Sequence, residues 1–527
     1  MTDHDDVPGG QDLPAGARGP ARAADETVAA DEAVAPVAAV AAVDLGATSG
    51  RVMLALLHGD PGRERVELEE VARFANGPVE VPEGDGAALH WDLLHLWRGV
   101  LDGLRAAGVA AAARGLDLGA IGIDSWAVDY GLTGADGALL GNPRCYRDPR
   151  LEGVAEKVLD TLGAEAHYRV NGLQTQPFNT EFQLVAGAQD AVWPLATSVR
   201  LIPDLLASWL TGRVVAEVTN ASTTGLVDAT TRQWSPTVID GLVRAYPALG
   251  DLRGRLADLV EPGDVVGHLT GRVRSLTGLG AVPVVAVGTH DTASAVVGVP
   301  AADDRFAYVS SGTWSLVGVE LDAPVLTQAS REANVTNELG VDGTVRYLKN
   351  VMGLWVLSET LRTWRESGRD VSLAEALAAA ETAEPGRTVV DVDGPQFLAP
   401  GDMSARLAEA ARASGQPVPD GVGQVVRCVL DSLAAAYARA VDQVTELSGR
   451  GSDAVTAIHV VGGGSQNALL CRLTAEATGL PVVAGPTEGA ALGNAVVAAR
   501  GVGLLTGTLT DLRGVVRRSS TLVTYEP

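Results

Sequence analysis

The same sequence pattern occurs twice along this chain. Near its start, the apolar run Val37-Ala38-Ala39-Val40-Ala41-Ala42-Val43 stops at Asp44, turns through Leu45-Gly46-Ala47-Thr48-Ser49-Gly50 and returns as Arg51-Val52-Met53-Leu54-Ala55-Leu56. Beyond the midpoint, Phe306-Ala307-Tyr308-Val309-Ser310 runs into Ser311-Gly312-Thr313 and returns as Trp314-Ser315-Leu316-Val317-Gly318-Val319. Two apolar runs joined by a short polar glycine turn read as a hairpin. Each hairpin is followed by helical spacing and then by another buried strand. In the first half the helix runs from Asp92 to about Ala113 and the strand is Ala120-Ile121-Gly122-Ile123. In the second half they fall near 421–448 and at Ala457-Ile458-His459-Val460-Val461. Alternating strands and helices predict α/β layers. A repeat of this kind predicts two similar α/β domains facing each other across a cleft, the usual place for a ligand.

Bulk properties narrow the function. A chain of 527 residues exceeds one ordinary core. Its net charge of −25 argues against a nucleic-acid groove, which needs a basic stripe, and against an anionic membrane surface. No run is long and apolar enough to span a bilayer. The three cysteines, Cys145, Cys428 and Cys471, form no metal-ligand spacing with the histidines and no disulfide framework, which suits a reducing cytoplasm. Residues 1–39, rich in Ala, Gly, Pro and Asp, read as a disordered extension rather than a signal peptide.

Five segments carry chemistry. The apolar run Val282–Val287 reads as a buried strand and leads into Gly288-Thr289-His290-Asp291-Thr292-Ala293-Ser294. Asp291 is then either the N-cap of a short helix or a base positioned to take a proton from a bound hydroxyl. A helix start just after it predicts a low pKa for its carboxyl. The first turn, Asp44 to Arg51, supplies close backbone amides, the hydroxyls of Thr48 and Ser49 and a positive charge, as an anion requires. Asp44 suits a hydrated magnesium ion, which takes one or two carboxylates. An ordinary hairpin turn is the alternative. There is no Gly-x-x-x-x-Gly-Lys-Ser/Thr, so a P-loop is not expected. The second turn, Ser310 to Ser315, has similar donors. Gly462-Gly463-Gly464-Ser465-Gln466-Asn467 suggests a flat ligand, such as an adenine ring or ribose, against bare backbone, or else a tight turn with Ser465 as helix cap. In Asp124-Ser125-Trp126-Ala127-Val128-Asp129-Tyr130, rings and carboxylates alternate as a sugar site needs, although Trp126 is equally suited to a core. Finally, Arg346 to Trp355 reads as the opening turns of an amphipathic helix carrying Asn350.

Together these segments resemble the FGGY carbohydrate kinases, and within them the rhamnulokinases. Pro177-Phe178-Asn179-Thr180, Thr219-Asn220-Ala221-Ser222-Thr223-Thr224 and Lys349-Asn350-Val351-Met352-Gly353-Leu354-Trp355 add to the likeness, which runs from about residue 40 to about 505. The resemblance implies two actin-like ATPase (ribonuclease H-like) domains with a cleft between them. The N-terminal domain, 40–285, would hold sugar and phosphate, the C-terminal domain, 286–510, the nucleotide, and 511–527 would form a tail. It implies transfer of the γ-phosphate of ATP, with Mg2+, to O1 of L-rhamnulose. Asp291 is then the general base. His290, Thr292, Asn350 and the backbone of Ala127 would contact the sugar. Ala47, Thr48, Ser49, Gly50, Arg51 and Thr313 would hold the phosphates, Asp44 would sit near magnesium and Gly463 against the adenosine. Three positions depart from the family pattern: Leu339 and Ala127 each replace a common Gly, and Ser358 falls where a Gln can reach the nucleotide. A kinase for another deoxy-ketose such as L-fuculose, or a non-catalytic actin-like nucleotide-binding protein, are the rival readings.

Overall fold

The computed structural model describes residues 35–84, 86–451 and 454–527. The extension expected over 1–39 therefore lies outside the described residues as far as residue 34, and regular structure begins at Ala38. Two sheets organise the chain. The first contains β1 (Ala38–Leu45), β2 (Ser49–His58), β3 (Arg65–Ala75), β4 (Leu118–Ser125), β5 (Val265–His268) and β6 (Pro283–Val285), in the order β5-β6-β4-β1-β2-β3. The second contains β7 (Phe306–Ser311), β8 (Trp314–Leu321), β9 (Thr336–Leu339), β10 (Val345–Met352), β11 (Ala457–Val461), β12 (Val482–Ala484) and β13 (Val523–Tyr525), in the order β9-β10-β8-β7-β11-β12-β13. Each has the same centre. β3-β2-β1 and β10-β8-β7 are antiparallel runs, and β4-β6 and β11-β12 extend them in parallel. The repeat read from the two hairpins is a repeat of topology, and both halves have the actin-like, ribonuclease H-like arrangement.

β1 shows why small apolar residues dominate this sequence. Successive side chains of a strand point to opposite faces, and a strand covered on both faces must be apolar throughout. Ala39, Ala41, Val43 and Leu45 pack against helix α1 (Leu93–Ala112) through Leu93, Leu96, Val100 and Leu104. Val40 and Ala42 face the other way, onto Ala491, Leu492, Ala495 and Val496.

Those last residues come from the far end of the chain. The second half supplies α2 (Asp291–Val297), α3 (Gly421–Leu447), α4 (Ala468–Thr478), α5 (Gly489–Gly501) and α6 (Leu509–Ser519). α5 covers the open face of the first sheet and crosses α2 at contact distance. A Cβ on Gly493 would lie 1.8 Å from the Ser294 carbonyl oxygen, and one on Gly298 would lie 2.1 Å from that of Gly489. Residues 511–527, read from the sequence as a tail, continue α6 and form β13. Arg513 of α6 pairs with Glu320 of β8 at 2.8 Å, while the Ser519 hydroxyl accepts from Val66 N of β3 at 2.7 Å.

One local expectation fails, and another holds over a shorter span. The segment from Arg346 is strand β10, with helix only from Trp355 onward (Trp355–Glu366). Its apolar residues have helical spacing, and pairing with both β8 and β9 overrides it in favour of strand. The strand expected over Val282–Val287 is present as Pro283–Val285, with Val282 O accepting from Leu269 N at 3.0 Å and Ala286 N donating to Asp264 O at 2.9 Å on either side. Among the described residues no helix is long and apolar enough to cross a membrane.

The α2–α5 crossing gives a stability prediction. Gly493→Ala is expected to cost about 2 kcal/mol or more by overpacking, read as a lower urea midpoint. Gly463→Ala, whose Cβ meets nothing within 4 Å, should leave that midpoint unchanged.

Candidate active site

Three acidic residues converge where the first sheet ends. Asp44 and Asp124 are register partners at the ends of parallel β1 and β4. Ser125 bridges to His290, and its N–H donates to the Thr289 carbonyl at 2.9 Å, so the loop after β6 brings Asp291 to the same edge. Asp44 and Asp124 are buried, whereas about a third of the Asp291 side chain, 32%, remains exposed. Arg51 donates to Asp44 at 2.6 Å and also pairs with Glu488, just before α5. Asn494 of α5 donates to Asp124 Oδ2 at 2.6 Å, while the buried Oδ1 has no hydrogen-bond partner. Burial, reinforced by the charge of Asp44, pushes the Asp124 carboxyl well above the usual range.

Asp291 is the first residue of α2 and does not cap it. His290 occupies the cap position and makes no side-chain cap bond. The low pKa expected from the helix start is also reversed. Burial raises the Asp291 carboxyl, the nearby Asp44 adds to the rise, and His290 only partly opposes it. A seven-residue helix cannot outweigh that desolvation.

The second half supports His290 from behind. Glu338 of β9 lies 3.2 Å from His290 Nδ1 and 2.9 Å from Arg346 Nη1 of β10, and Arg346 is wholly buried. Burial alone would raise Glu338, but Arg346 and His290 outweigh it and hold the carboxyl below its usual range. His290 Nε2 lies 3.5 Å from Asp291 Oδ1. Thr292 is buried beside the acid, and its hydroxyl donates to Asp291 Oδ1 at 3.1 Å. Glu217 fixes the preceding residue, accepting from Thr289 N at 3.0 Å and Thr289 Oγ1 at 2.7 Å. Glu217, Glu338, Arg346, Glu488 and Asn494 were not singled out from the sequence, because each acts through contacts between distant segments.

The turns divide between the halves. In the first, Gly46 N donates to Ser49 O at 2.9 Å, and Asn76 holds the loop through Thr48 O and Gly46 O. Thr48 is exposed, Ala47 and Ser49 are half-buried, and Gly50 is buried beneath the Phe74 ring. In the second, the carbonyls of Gly312 and Thr313 accept from Leu354 N and Trp355 N at 3.0 and 3.1 Å. The turn is thereby tied to the start of the helix that carries exposed Ser358. The triple glycine abuts this turn. A Cβ on Gly464 would lie 2.0 Å from Ser311 Oγ, and Gly462 has a φ of 84° against Ser311 O. Packing thus accounts for two of the three glycines, and only Gly463 presents open backbone. Asn467, not Ser465, caps α4.

In the segment after β4 the expected sugar carboxylate is already engaged. Asp129 accepts from Trp91 Nε1 at 2.5 Å, Trp126 Nε1 at 3.0 Å, Tyr146 N at 3.2 Å and Gln183 Nε2 at 3.0 Å. Burial raises it to about 6 against these bonds. It fixes the two indoles, whose ring centroids lie 4.3 Å apart. Ala127 stays half-buried beside Val128, a β-branched residue held at a φ of 67° with its carbonyl bonded to Thr180 Oγ1 at 2.7 Å. Asn350 lies elsewhere. With Gln174 and Trp314 it lines a cavity of about 600 Å3 that Ala127, His290, Asp291 and Thr292 do not line. Ring contacts from Trp126 through Trp91, Tyr146 and Phe178 to Trp314 join the two places.

Comparison with known proteins identifies the family. Residues 40–298 match the N-terminal domain, and residues 307–502 the C-terminal domain, of the FGGY family of carbohydrate kinases. The chain is 42% identical over 489 residues to a rhamnulokinase of Bacteroides thetaiotaomicron, covering 92% of this chain and 95% of that protein. It is 39% identical to a rhamnulokinase of Klebsiella pneumoniae over 92% and 94% of the two chains. Its fold matches the ligand-bound xylulose kinase from Lactobacillus acidophilus with a TM-score of 0.72 at 17% identity, covering 93% and 94%.

The buried acid gives a pH prediction. A carboxyl raised on folding stabilises below the ordinary carboxylate range and loses that contribution as pH rises through the folded value. Asp124→Asn supplies the neutral form at every pH. Thermal unfolding between pH 5 and 8 should therefore show a gain over wild type that grows with pH. Parallel curves for the two proteins would refute the buried neutral acid.

Proposed function

The chain belongs to the FGGY family of carbohydrate kinases, in its rhamnulokinase branch, and from that premise we propose that it transfers the γ-phosphoryl group of ATP to O1 of L-rhamnulose, with Asp291 as general base. It is a sugar phosphotransferase by family membership. The observation that carries the base assignment is the meeting of Asp291 with Asp44 and Arg51 at one strand edge, beside a turn with phosphate-type donors.

Phosphoryl transfer needs positioning and charge neutralisation more than covalent chemistry. Asp291, partly exposed and raised by burial, is suited to take the proton that the sugar hydroxyl loses as its oxygen attacks phosphorus. His290 and Thr292 flank it, and with the Ala127 backbone and Asn350 they would hold the sugar. Ala47 to Arg51 and Thr313 would hold the phosphates, and Gly463 and Ser358 would meet the nucleoside. On this reading residues 40–285 form the sugar and phosphate side, and 286–510 form the nucleotide side and reach the sugar through His290, Asp291, Thr292 and Asn350. Leu339 is buried, and its N–H donates to Ser222 Oγ at 3.0 Å, so this departure is accommodated within the core.

The acids at the strand ends fit a hydrated magnesium ion. Asp44 stands there with the unpartnered Asp124 Oδ1 on the adjacent strand. Magnesium usually keeps several waters and takes one or two carboxylates from the protein. Bound magnesium would neutralise charge on the phosphates. Three free, buried cysteines accord with a reducing cytoplasm.

Two measurements test this reading. Asp291→Asn should fold and bind ATP but lose sugar phosphorylation by about 1000-fold or more, and near wild-type turnover would exclude Asp291 as base. In the wild type the base works ionised, so kcat/KM should fall as pH drops, beginning above the ordinary carboxylate value of about 4. In a panel of ketoses L-rhamnulose should give the highest kcat/KM, and equal use of L-fuculose would defeat the substrate assignment.

A further inference from the structure

Gln174 reaches across from the first half of the chain to Asn350 on β10, and the two bonds between them determine the orientation of both amides. The backbone N–H of Asn350 donates to the Gln174 side-chain oxygen at 3.0 Å. A backbone N–H has no acceptor role, so Gln174 must present Oε1 there rather than Nε2. The Asn350 side-chain atom 2.9 Å from that same oxygen must then be the donor Nδ2. Asn350 Oδ1 and Gln174 Nε2 have no hydrogen-bond partner among the described residues, and neither is sealed away from solvent. Both residues line the cavity of about 600 Å3.

The position of Gln174 is itself fixed. Gln174 is buried, and its backbone carbonyl accepts from Asn179 Nδ2 at 3.1 Å. Two residues earlier, the Gly172 carbonyl accepts from Asn337 N and Asn337 Nδ2 of β9, both at 2.9 Å. The segment is therefore attached to the second sheet before Gln174 reaches Asn350.

We propose that Gln174 is a sugar-specificity residue, presenting with Asn350 one donor and one acceptor to a single substrate hydroxyl across the junction of the two halves. The inference rests on the reading of Asn350 as a sugar contact. A hydroxyl both donates and accepts, so Asn350 Oδ1 and Gln174 Nε2 complement it fully, and a sugar carbon without that hydroxyl leaves both amide atoms unpaired. Sites built to bond a hydroxyl reject its deoxy analogue more strongly than apolar pockets reject an extra methylene. Because the two residues come from opposite halves, recognition also reports that the halves are together.

Steady-state kinetics with wild type, Gln174→Glu and Gln174→Met test this. Glu keeps an acceptor for both Asn350 donors but removes the Nε2 donor. Met removes both functions at similar volume. The expected result is a KM for the ketose raised about 10-fold or more in both variants, with the KM for ATP unchanged. The loss should shrink for a ketose lacking the recognised hydroxyl. A wild-type ketose KM in both variants would overturn the proposal while leaving the kinase reading intact. Wild type that turns over no ketose would instead defeat the kinase reading, and this inference with it.

Discussion

Two carboxylates lie side by side in the interior at the ends of β1 and β4, and each depends on a partner from another element, Arg51 of β2 for Asp44 and Asn494 of α5 for Asp124. Arg51 compensates Asp44 and is itself held by Glu488, while Asn494 donates to Asp124. Removing water from an acid is costly unless a counter-charge or hydrogen bond replaces it, and two adjacent acids repel when both are ionised. The arrangement answers both constraints: one acid is paired with a guanidinium, and the other is pushed toward its neutral form. The remaining features of the site follow from that edge. The bond from Ser125 N to Thr289 O extends it to His290 and Asp291, and Glu338 with Arg346 fixes the imidazole from the other sheet.

The same economy explains the segment after β4. Asp129 spends all its bonding capacity on two indoles, a backbone N–H and a glutamine amide. Its role is to hold an aromatic wall in place, and its own N–H donates to the Ala127 carbonyl at 2.9 Å. Val128 is kept in a left-handed conformation that a β-branched residue disfavours, and bonds from Thr180 and Gln183 to its carbonyl keep it there.

Much of this was legible in the sequence because it was local. Hairpins, strand ends and glycine turns are written in contiguous residues, so the layers, the repeat, Asp44, Arg51 and Asp291 could be read directly. What could not be read is set by pairing at long range. The segment from Arg346 has the spacing of a helix, and only its two strand neighbours make it β10. The triple glycine looked like a ligand platform, yet contact with Ser311 explains two of its members. The helix start beside Asp291 suggested a low pKa because desolvation and the approach of Asp44 leave no trace in the local sequence. Gln174 was passed over because its partner lies 176 residues away.

The position of α5 also bears on how the chain is made. A ribosome releases residues in order, and N-terminal domains commonly fold while the rest is still being synthesised. Here the first sheet emerges with one apolar face bare, and Gly489–Gly501, which covers it, is made only after most of the second sheet. The first half therefore has to wait, with Val40, Ala42 and Met53 uncovered, until α5 has been translated. An order of synthesis that leaves so much apolar surface exposed for so long makes the nascent chain a natural client for chaperones.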